Sequence, residues 1–161
     1  MTDPAENKLE GGCTCGAVRY RLTAPPLFVH CCHCTWCQRG SGSAFAVNVM
    51  IEATNVELLS GDLDRDMLPT ASGLGQEFVR CADCGTTVWS HYAAAREKVS
   101  FVRAGTLDDP SLAPPDIHIF TSTKQPWVAL PDDVPAVPEY YQRSAHWPAD
   151  CVARYKAATA D

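Results

Sequence analysis

Residues 13–22 read Cys-Thr-Cys-Gly-Ala-Val-Arg-Tyr-Arg-Leu, so two cysteines one residue apart run directly into alternating apolar and charged residues. On an extended strand, side chains at positions i and i+2 point to the same face, about 7 Å apart along the chain. Two sulfurs at that spacing can reach one metal ion at about 2.3 Å. The stretch therefore predicts a metal-binding cysteine pair at the start of a β-strand.

Seven of the nine cysteines fall into three tight clusters of this kind, and each spacing suits a metal ion. Four thiolates close a tetrahedral zinc site, whereas three leave a coordination position for water or a substrate. We expect two zinc ions per chain, one in a closed structural site built from the first and third clusters and one in an open site built from the middle cluster. The predicted ligands are Cys13, Cys15, Cys81 and Cys84 for the closed site, and Cys32, Cys34 and Cys37 for the open site.

Gly16 and Gly85 directly follow the second cysteine of the first and third clusters. Glycine adopts positive φ without a steric penalty, which lets the backbone curl beneath a metal-binding cysteine. Each Cys-Gly step also runs into apolar, β-prone residues, so the chain carries a weak internal echo. We interpret the echo as two facing loops that share one metal ion.

Other uses of the cysteines fit the sequence less well. Disulfide frameworks are typical of small secreted domains, but residues 1–10 lack the basic start and apolar stretch of a signal peptide. We therefore expect a reducing, cytoplasmic location. A thioredoxin-like redox pair belongs beside a βαβ unit, and no helical period flanks Cys34 and Cys37 or Cys81 and Cys84. Iron-sulfur binding uses the same ligand type, and only the incomplete middle set argues against it.

Composition bounds the size and the partners of the protein. A chain of 161 residues is of single-domain size, and we expect one domain over residues 10–161 after a flexible N-terminus at 1–9. No stretch approaches 18 apolar residues, so no membrane span is predicted. The formal net charge of −6 becomes about −9 once seven thiolates hold two zinc ions. Because such a surface repels phosphate backbones and no basic stripe is present, nucleic acid is not an expected partner. The sequence leaves the oligomeric state open.

The apolar period along the chain is two residues rather than 3.6, which predicts an all-β fold of short antiparallel strands. Val18, Tyr20 and Leu22 alternate with polar residues. At 45–51 the same spacing separates one set of side chains from another, namely Phe45, Val47, Val49 and Ile51 from Ala46, Asn48 and Met50. This pattern is typical of strands with one buried face.

The C-terminal part of the chain has a different composition. Residues 110–148 hold eight of the twelve prolines, together with several aromatic residues. Because disordered segments are poor in aromatics, we predict an ordered, irregular wrap over a sheet, with one strand near 117–121. Helical character is expected only after this wrap, where Pro148 opens a short helix from Ala149 to Ala158.

Several motifs together resemble the family of glutathione-dependent formaldehyde-activating enzymes, which includes centromere protein V. They are Gly-Gly-Cys-Thr-Cys-Gly-Ala-Val-Arg-Tyr at 11–20, Cys-His-Cys-Thr-Trp-Cys at 32–37, Gly-Ser-Ala-Phe at 42–45 and Cys-Ala-Asp-Cys-Gly-Thr at 81–86. Gly-Thr-Leu-Asp at 105–108, His-Ile-Phe at 118–120 and Lys-Gln-Pro-Trp at 124–127 resemble many bacterial members. The resemblance covers roughly residues 10–135, and its motifs are specific in combination.

The resemblance implies a β-tent fold, a structural zinc on the first and third clusters and a catalytic zinc on the middle cluster. It also implies a carbon-sulfur lyase-like enzyme that acts on the adduct of a small-molecule thiol and an aldehyde. Glutathione and formaldehyde, which form S-hydroxymethylglutathione, are the implied pair. The alternative is a zinc-stabilised binding module that has kept the fold without turnover.

The sequence departs from the family pattern at two positions near the middle cluster. Many relatives carry two basic residues after this cluster, whereas here Gln38 precedes Arg39, so one anchor for an anionic thiol is missing. Cys31 stands where relatives often have a small polar residue. It is interpreted as a buried thiol or as a substitute ligand. Cys151, on the predicted helix, has no partner nearby in sequence and is interpreted as structural or incidental.

Weaker candidates surround the middle cluster. His33 lies between two predicted ligands and so points away from the metal, which leaves either a packing role or proton transfer. Arg39, Gly40 and Ser41 offer backbone N–H groups and one cation that suit the carboxylate of a thiol substrate; the alternative is an ordinary flexible loop. Trp36 forms either a wall of the site or part of the core.

Overall fold

The computed structural model describes residues 9–160. In that part of the chain β-strands dominate, so the fold is all-β as predicted. The flexible N-terminus predicted for residues 1–9 falls, apart from residue 9, outside the described residues. The ten strands are β1 (Glu10–Gly12), β2 (Arg19–Leu22), β3 (Phe28–Cys32), β4 (Ala46–Glu52), β5 (Val56–Ser60), β6 (Leu63–Leu68), β7 (Gln76–Cys81), β8 (Thr87–Tyr92), β9 (Val99–Arg103) and β10 (Ile117–Ile119). The helices are α1 (Thr35–Ser41), α2 (Arg143–His146) and α3 (Ala149–Thr159).

The described strands form two sheets. The smaller sheet has the order β1-β2-β5, and the larger has the order β10-β3-β4-β9-β8-β7-β6. Neighbouring strands pair antiparallel except β10 and β3, which pair in parallel. The parallel pair places His118 opposite Cys31, so a residue late in the chain lies beside the strand that leads into the middle cysteine cluster.

The predicted alternation of β2 is confirmed. Tyr20 and Leu22 are buried with Val18, whereas Arg19 and Arg21 on the other face are half-buried. The buried side chains pack against one face of the large sheet, in a core that includes Val49 and Val79 on that sheet. The small sheet therefore covers this face of the large one.

In β4 the alternation does not separate a buried face from an exposed one. Val49, Met50 and Ile51 are all almost fully buried. Val49 and Ile51 belong to the core beneath the small sheet, whereas Met50 belongs to a second core that includes Trp147 and Cys151. The strand is thus buried on both faces because the C-terminal segment covers the side that the small sheet leaves free.

The C-terminal wrap at 110–148 is confirmed as ordered and mostly irregular, but it contains the short helix α2, where the sequence predicted no helix. Its Trp147 stacks on Phe28 of β3 with the ring centroids 5.4 Å apart. The terminal helix, α3, follows Pro148 and ends one residue beyond the predicted limit. Arg154 of α3 donates to both carboxylate oxygens of Glu52, at 2.8 and 2.7 Å, which fixes the helix against β4.

The prediction of no helix beside Cys34 and Cys37 is wrong, because α1 begins directly after Cys34. Its first turn is capped by the Cys34 thiol, which accepts from the backbone N–H of Cys37, and it ends at Gly42 with φ 65°. None of its residues is buried, so it has no apolar stripe and no helical period to detect. Capping rather than core packing stabilises this short helix.

The longest described helix, α3, has 11 residues. None of the helices between residues 9 and 160 is long and apolar enough to cross a membrane.

Candidate metal centres and the adjoining cavity

The structure brings together the four thiols of the first and third clusters, which we call the four-cysteine cluster. All four Sγ atoms lie within 4.8 Å of one another. Cys13 and Cys15 are 3.4 Å apart at Sγ, and Cys15 and Cys81 are 3.8 Å apart. Tetrahedral zinc with bonds of 2.3 Å requires sulfur separations of about 3.8 Å. These thiols therefore fit a closed zinc site.

Two facing loops hold the four-cysteine cluster, as the internal echo predicts. Gly16 and Gly85 have φ values of 82° and 74°, and the N–H of Gly85 donates to the Cys81 carbonyl at 2.9 Å. The hydroxyl of Thr86 bonds the hydroxyl of Thr14 at 3.1 Å and so links the loops. It also contacts the thiol of Cys84, whose pKa is lowered to about 5 by hydrogen bonds from Thr86. Thr86 thus favours the thiolate form of Cys84, which is the form that metal binding needs.

The middle thiols of Cys32, Cys34 and Cys37, which we call the three-cysteine cluster, also lie within 4.8 Å of one another. Cys32 ends β3, Cys34 caps α1, and Cys37 lies in the first turn of that helix. The Cys37 backbone N–H donates to the Cys34 thiol at 3.3 Å. Hydrogen bonds from the Cys32 and Cys37 thiols lower the pKa of Cys34 to about 2. The set can hold a soft or borderline metal ion through three sulfurs, with a further position left for a fourth ligand.

Arg103, at the end of β9, provides positive charge near the three-cysteine cluster. Burial lowers the pKa of this guanidinium, while attraction to Cys37 and Cys32 raises it. The side chain donates to the Asn48 amide oxygen and lies over the Phe78 ring, 5.4 Å from its centroid. Zinc with three thiolates carries a net charge of −1, so Arg103 balances the charge of such a site.

A cavity of about 540 Å³ adjoins the three-cysteine cluster and includes its three cysteines in the wall. This volume lies in the range of small-molecule sites. Polar groups in the wall include His30, Asn48 and Arg143. Aromatic side chains form much of the remaining wall, namely Trp36, Tyr92, Phe101, Phe120, Tyr140 and Tyr155.

His30 is held in one orientation by the C-terminal wrap. Trp147 Nε1 donates to the Tyr141 hydroxyl at 2.6 Å, and this hydroxyl lies 2.6 Å from His30 Nε2. Because the indole N–H can only donate, the Tyr141 hydroxyl is free to donate to His30. Burial lowers the pKa of His30 to about 4, so the ring is neutral near pH 7.

Cys31, His33 and His118 form a third, fully internal group, which we call the His–Cys cluster. His33 Nε2 lies 2.9 Å from His118 Nδ1 and 3.6 Å from the Cys31 thiol. The three ligand atoms lie within 4.8 Å of one another, a spacing that also suits a metal ion. Consecutive strand residues face opposite sides, so the cluster lies across β3 from Cys32. Burial raises the pKa of Cys31 to about 12 and lowers that of His33 to about 4, which leaves both uncharged near pH 7.

The predicted substrate loop at Arg39, Gly40 and Ser41 is helical rather than a flexible loop. Arg39 is exposed, and none of the three contributes to the cavity wall. The Ser41 hydroxyl instead donates to the Cys37 carbonyl at 2.7 Å. Gln38 ties α1 to the C-terminal segment, because its amide nitrogen donates to the carbonyls of His33 and Thr123.

Sequence reasoning missed the residues that reach the site from distant parts of the chain. His118 and Tyr141 contact residues of the 30–33 stretch across 85 and 111 positions of sequence. Arg103 and Arg143 likewise lie far from the cysteine clusters in the sequence. A lone arginine or tyrosine has no spacing to recognise, so Arg103, Tyr141 and Arg143 gave no signal beyond residue type. His118 lies in the His-Ile-Phe stretch that resembles the family, but that stretch did not indicate its contact with His33.

The fold and sites define a small all-β protein with thiol clusters suited to metal ions. The family model described as glutathione-dependent formaldehyde-activating enzyme matches residues 8–123. Because this match covers most of the chain, the protein belongs to that family. The residues from 124 onward, which include the cavity residues Tyr140 and Arg143, lie beyond the match.

Two individual proteins are similar to this chain. A Halomonas elongata protein is 26% identical over 126 residues, which cover 76% of this chain and 80% of the relative, and it carries the provisional name glutathione-dependent formaldehyde-activating enzyme. A crystal structure of a Rhodobacter sphaeroides protein superposes with a TM-score of 0.48 and 18% identity, covering 66% of this chain and 96% of that one.

Proposed function

We propose that this protein is a zinc-dependent, carbon-sulfur lyase-like enzyme acting on the adduct of a thiol and an aldehyde. The observation that carries the proposal is the three-cysteine cluster, whose thiols lie within 4.8 Å of one another in the wall of a cavity of about 540 Å³. Glutathione and formaldehyde, which form S-hydroxymethylglutathione, are the first pair to test, because the family description names them.

The thiols divide into two sets that fit two zinc ions per chain. Cys13, Cys15, Cys81 and Cys84 offer four sulfurs and would complete a structural site, whereas Cys32, Cys34 and Cys37 offer three. A zinc ion held by the three-cysteine cluster would supply a Lewis acid and a coordination position for a thiolate.

The reaction forms or breaks one carbon-sulfur bond and transfers one proton. In the direction of adduct formation, the thiol sulfur bonds to the carbonyl carbon, and the proton lost by the thiol ends on the carbonyl oxygen; breakdown reverses both changes. The aromatic wall of the cavity would exclude water from the reacting groups and so strengthen electrostatic interactions there. Arg103 would balance the negative charge of the three thiolates. His30, neutral and oriented by Tyr141, lines the same cavity. Because its Nε2 accepts from Tyr141, its Nδ1 carries the hydrogen and can donate a hydrogen bond.

We also propose that residues 10–161 act as one domain and that the protein works in the cytoplasm. The first proposal is supported by the C-terminal wrap, which covers a face of the same sheet that the N-terminal strands pack against. The second is supported by the need of thiolate metal sites for reduced cysteines.

The decisive experiment compares wild-type protein with Cys34→Ser. The substitution should abolish catalysis of adduct formation and breakdown, leave the melting temperature nearly unchanged, and remove one of the two bound zinc ions. Rates must be compared with the uncatalysed reaction of each thiol and aldehyde. Wild-type protein that exceeds this background with no pair would contradict an enzyme and favour a zinc-stabilised binding module.

A further inference from the structure

The segment beyond the family match supplies a distinct part of the cavity wall. The match ends at residue 123, whereas Glu139, Tyr140, Arg143 and Tyr155 all line the cavity shared with the three-cysteine cluster. Their side chains therefore surround the proposed reaction site without belonging to the matched region. Selectivity for one substrate over another can arise in this segment.

Arg143 is the one arginine or lysine in the wall of this cavity, within the described chain. The wall also contains one carboxylate, that of Glu139, which accepts from the Ser122 hydroxyl at 2.7 Å. The cavity thus presents a single fixed cation from its C-terminal side.

The guanidinium of Arg143 is positioned by aromatic rings rather than by a carboxylate. Its central carbon lies 4.2 Å from the Tyr155 ring centroid and 5.7 Å from that of Trp147. Its buried Nε has no hydrogen-bond partner. Within residues 9–160 the Arg143 side chain forms no ion pair with a carboxylate. Arg154, in the next helix, is by contrast held by both oxygens of Glu52.

A guanidinium that has no carboxylate partner is suited to a planar anion. Buried donors are normally satisfied, and arginine binds a carboxylate through two parallel N–H bonds. Stacking on Tyr155 limits the rotation of the side chain, so little conformational freedom remains to be lost on binding. Arg39, the anchor expected from the sequence, is exposed and outside the cavity wall, and Gln38 is occupied by backbone contacts.

We propose that Arg143 binds a carboxylate of the substrate, so that the enzyme selects thiol–aldehyde adducts that bear a free carboxylate over uncharged ones. This inference rests on the proposed function for the reaction, but the binding of the carboxylate can be measured without turnover. Glutathione has two carboxylates and belongs to the selected class, whereas 2-mercaptoethanol has none. The aromatic wall beside Arg143 receives the less polar part of the same molecule.

Binding is tested first, with S-methylglutathione as the probe, because it keeps both carboxylates but has no thiol. Calorimetry on the zinc-loaded protein should give a Kd that rises on the order of 10- to 100-fold in Arg143→Gln, as expected for a lost hydrogen bond to a charged group. Arg143→Lys should recover part of the affinity. The control is Arg19→Gln, at an arginine outside the cavity wall that is held by Asp108, and its Kd should equal that of wild type.

Turnover supplies the second comparison. Arg143→Gln should lower kcat/KM for glutathione with formaldehyde by at least 10-fold more than for 2-mercaptoethanol with formaldehyde, mainly through KM. An equal loss for both thiols, or an unchanged Kd for S-methylglutathione, would overturn the role of Arg143. Absence of turnover together with Arg143-dependent binding would support the carboxylate site while contradicting the proposed enzyme. Melting temperatures of the variants separate a binding defect from loss of the stacking on Tyr155.

Discussion

The Sγ atoms of Cys15 and Cys81 lie 3.8 Å apart although 66 residues separate them in the sequence. A metal ion shared by these thiols would join the N-terminal loop to the end of β7. The crosslink would close a long loop, whose entropy then no longer opposes folding. The binding energy of the ion would also add directly to the stability of the fold.

We therefore expect Cys81→Ser to destabilise the whole domain and to lower its Tm by more than about 10 °C. Thermal unfolding followed by circular dichroism measures the change. The matched control is Cys151→Ser, which makes the same change at a buried cysteine that lies outside all three clusters in the described chain. A Tm for Cys81→Ser equal to that of Cys151→Ser would mean that the four-cysteine cluster has no structural metal.

The two proposed zinc sites should also differ when they are challenged with a chelator. The four-cysteine cluster is nearer the surface, with Cys15 and Cys84 exposed, whereas Cys32 is buried. Exposure alone would make the four-cysteine cluster lose its ion first. The number of protein ligands favours the opposite order, because four thiolates hold an ion more tightly than three. We expect the three-cysteine cluster to lose its zinc first, because it has fewer ligands and the adjoining cavity gives a chelator access to it.

Elemental analysis during stepwise chelation should therefore show one zinc lost with the fold intact and the second lost only as the protein unfolds. Cys34→Ser identifies the ions, because this variant should contain only the second. Release of both ions in a single step together with unfolding would remove the distinction between a structural site and an open one.

The cysteine clusters could be predicted because their chemistry is local. Two or three thiols within a few residues stay close in space whatever the fold of the rest of the chain. The glycines after Cys15 and Cys84 indicate the turns that follow them. The terminal helix was similarly predictable from Pro148. For α1 the same reasoning fails, because a seven-residue helix with no buried residue has no period, and its cap is a cysteine rather than one of the usual capping residues.

The cavity could not be predicted, because it depends on contacts between distant segments. The parallel pairing of β10 with β3 brings Ile119 beside Cys32 in the cavity wall, and the irregular wrap then brings Tyr141 to His30. Such contacts are set by the packing of the whole domain. The sequence showed only that the wrap is rich in proline and aromatic residues, which indicates order without indicating position.

Cys31 and Cys32 are adjacent in β3 but belong to different clusters, on opposite faces of the strand. This arrangement favours the interpretation of Cys31 as a buried thiol over that of a substitute ligand in the three-cysteine cluster. Cys31→Ala should leave the zinc content unchanged and lower the free energy of unfolding by about 1 kcal/mol, as for other small buried truncations. Cys32→Ala should remove one zinc per chain.

Elemental analysis measures the zinc content of Cys31→Ala and Cys32→Ala, and denaturant unfolding measures their stability. The substitutions are identical and one residue apart, so each variant is the control for the other. Zinc loss in Cys31→Ala equal to that in Cys32→Ala would assign both thiols to one site. A fall in copper, nickel or zinc content confined to Cys31→Ala would instead show that the His–Cys cluster itself holds a metal.

The contact between Arg154 and Glu52 should make the anchoring of α3 depend on pH. Burial raises the pKa of Glu52, but hydrogen bonds from Arg154 outweigh it, so the pKa lies below the ordinary value of 4.5. Because the folded state holds this proton less tightly than the unfolded state, the contact stabilises the fold above about pH 4.5 and loses its effect as pH falls through the folded pKa.

We expect Glu52→Gln to lower the free energy of unfolding by about 2 kcal/mol at pH 7. The difference between variant and wild type should shrink steadily below pH 4.5, as measured by urea unfolding at a series of pH values. Acid also protonates the cysteine ligands, but it does so in both proteins and cancels in the difference. A difference that stays constant down to pH 3 would show that the carboxylate of Glu52 contributes through shape rather than charge.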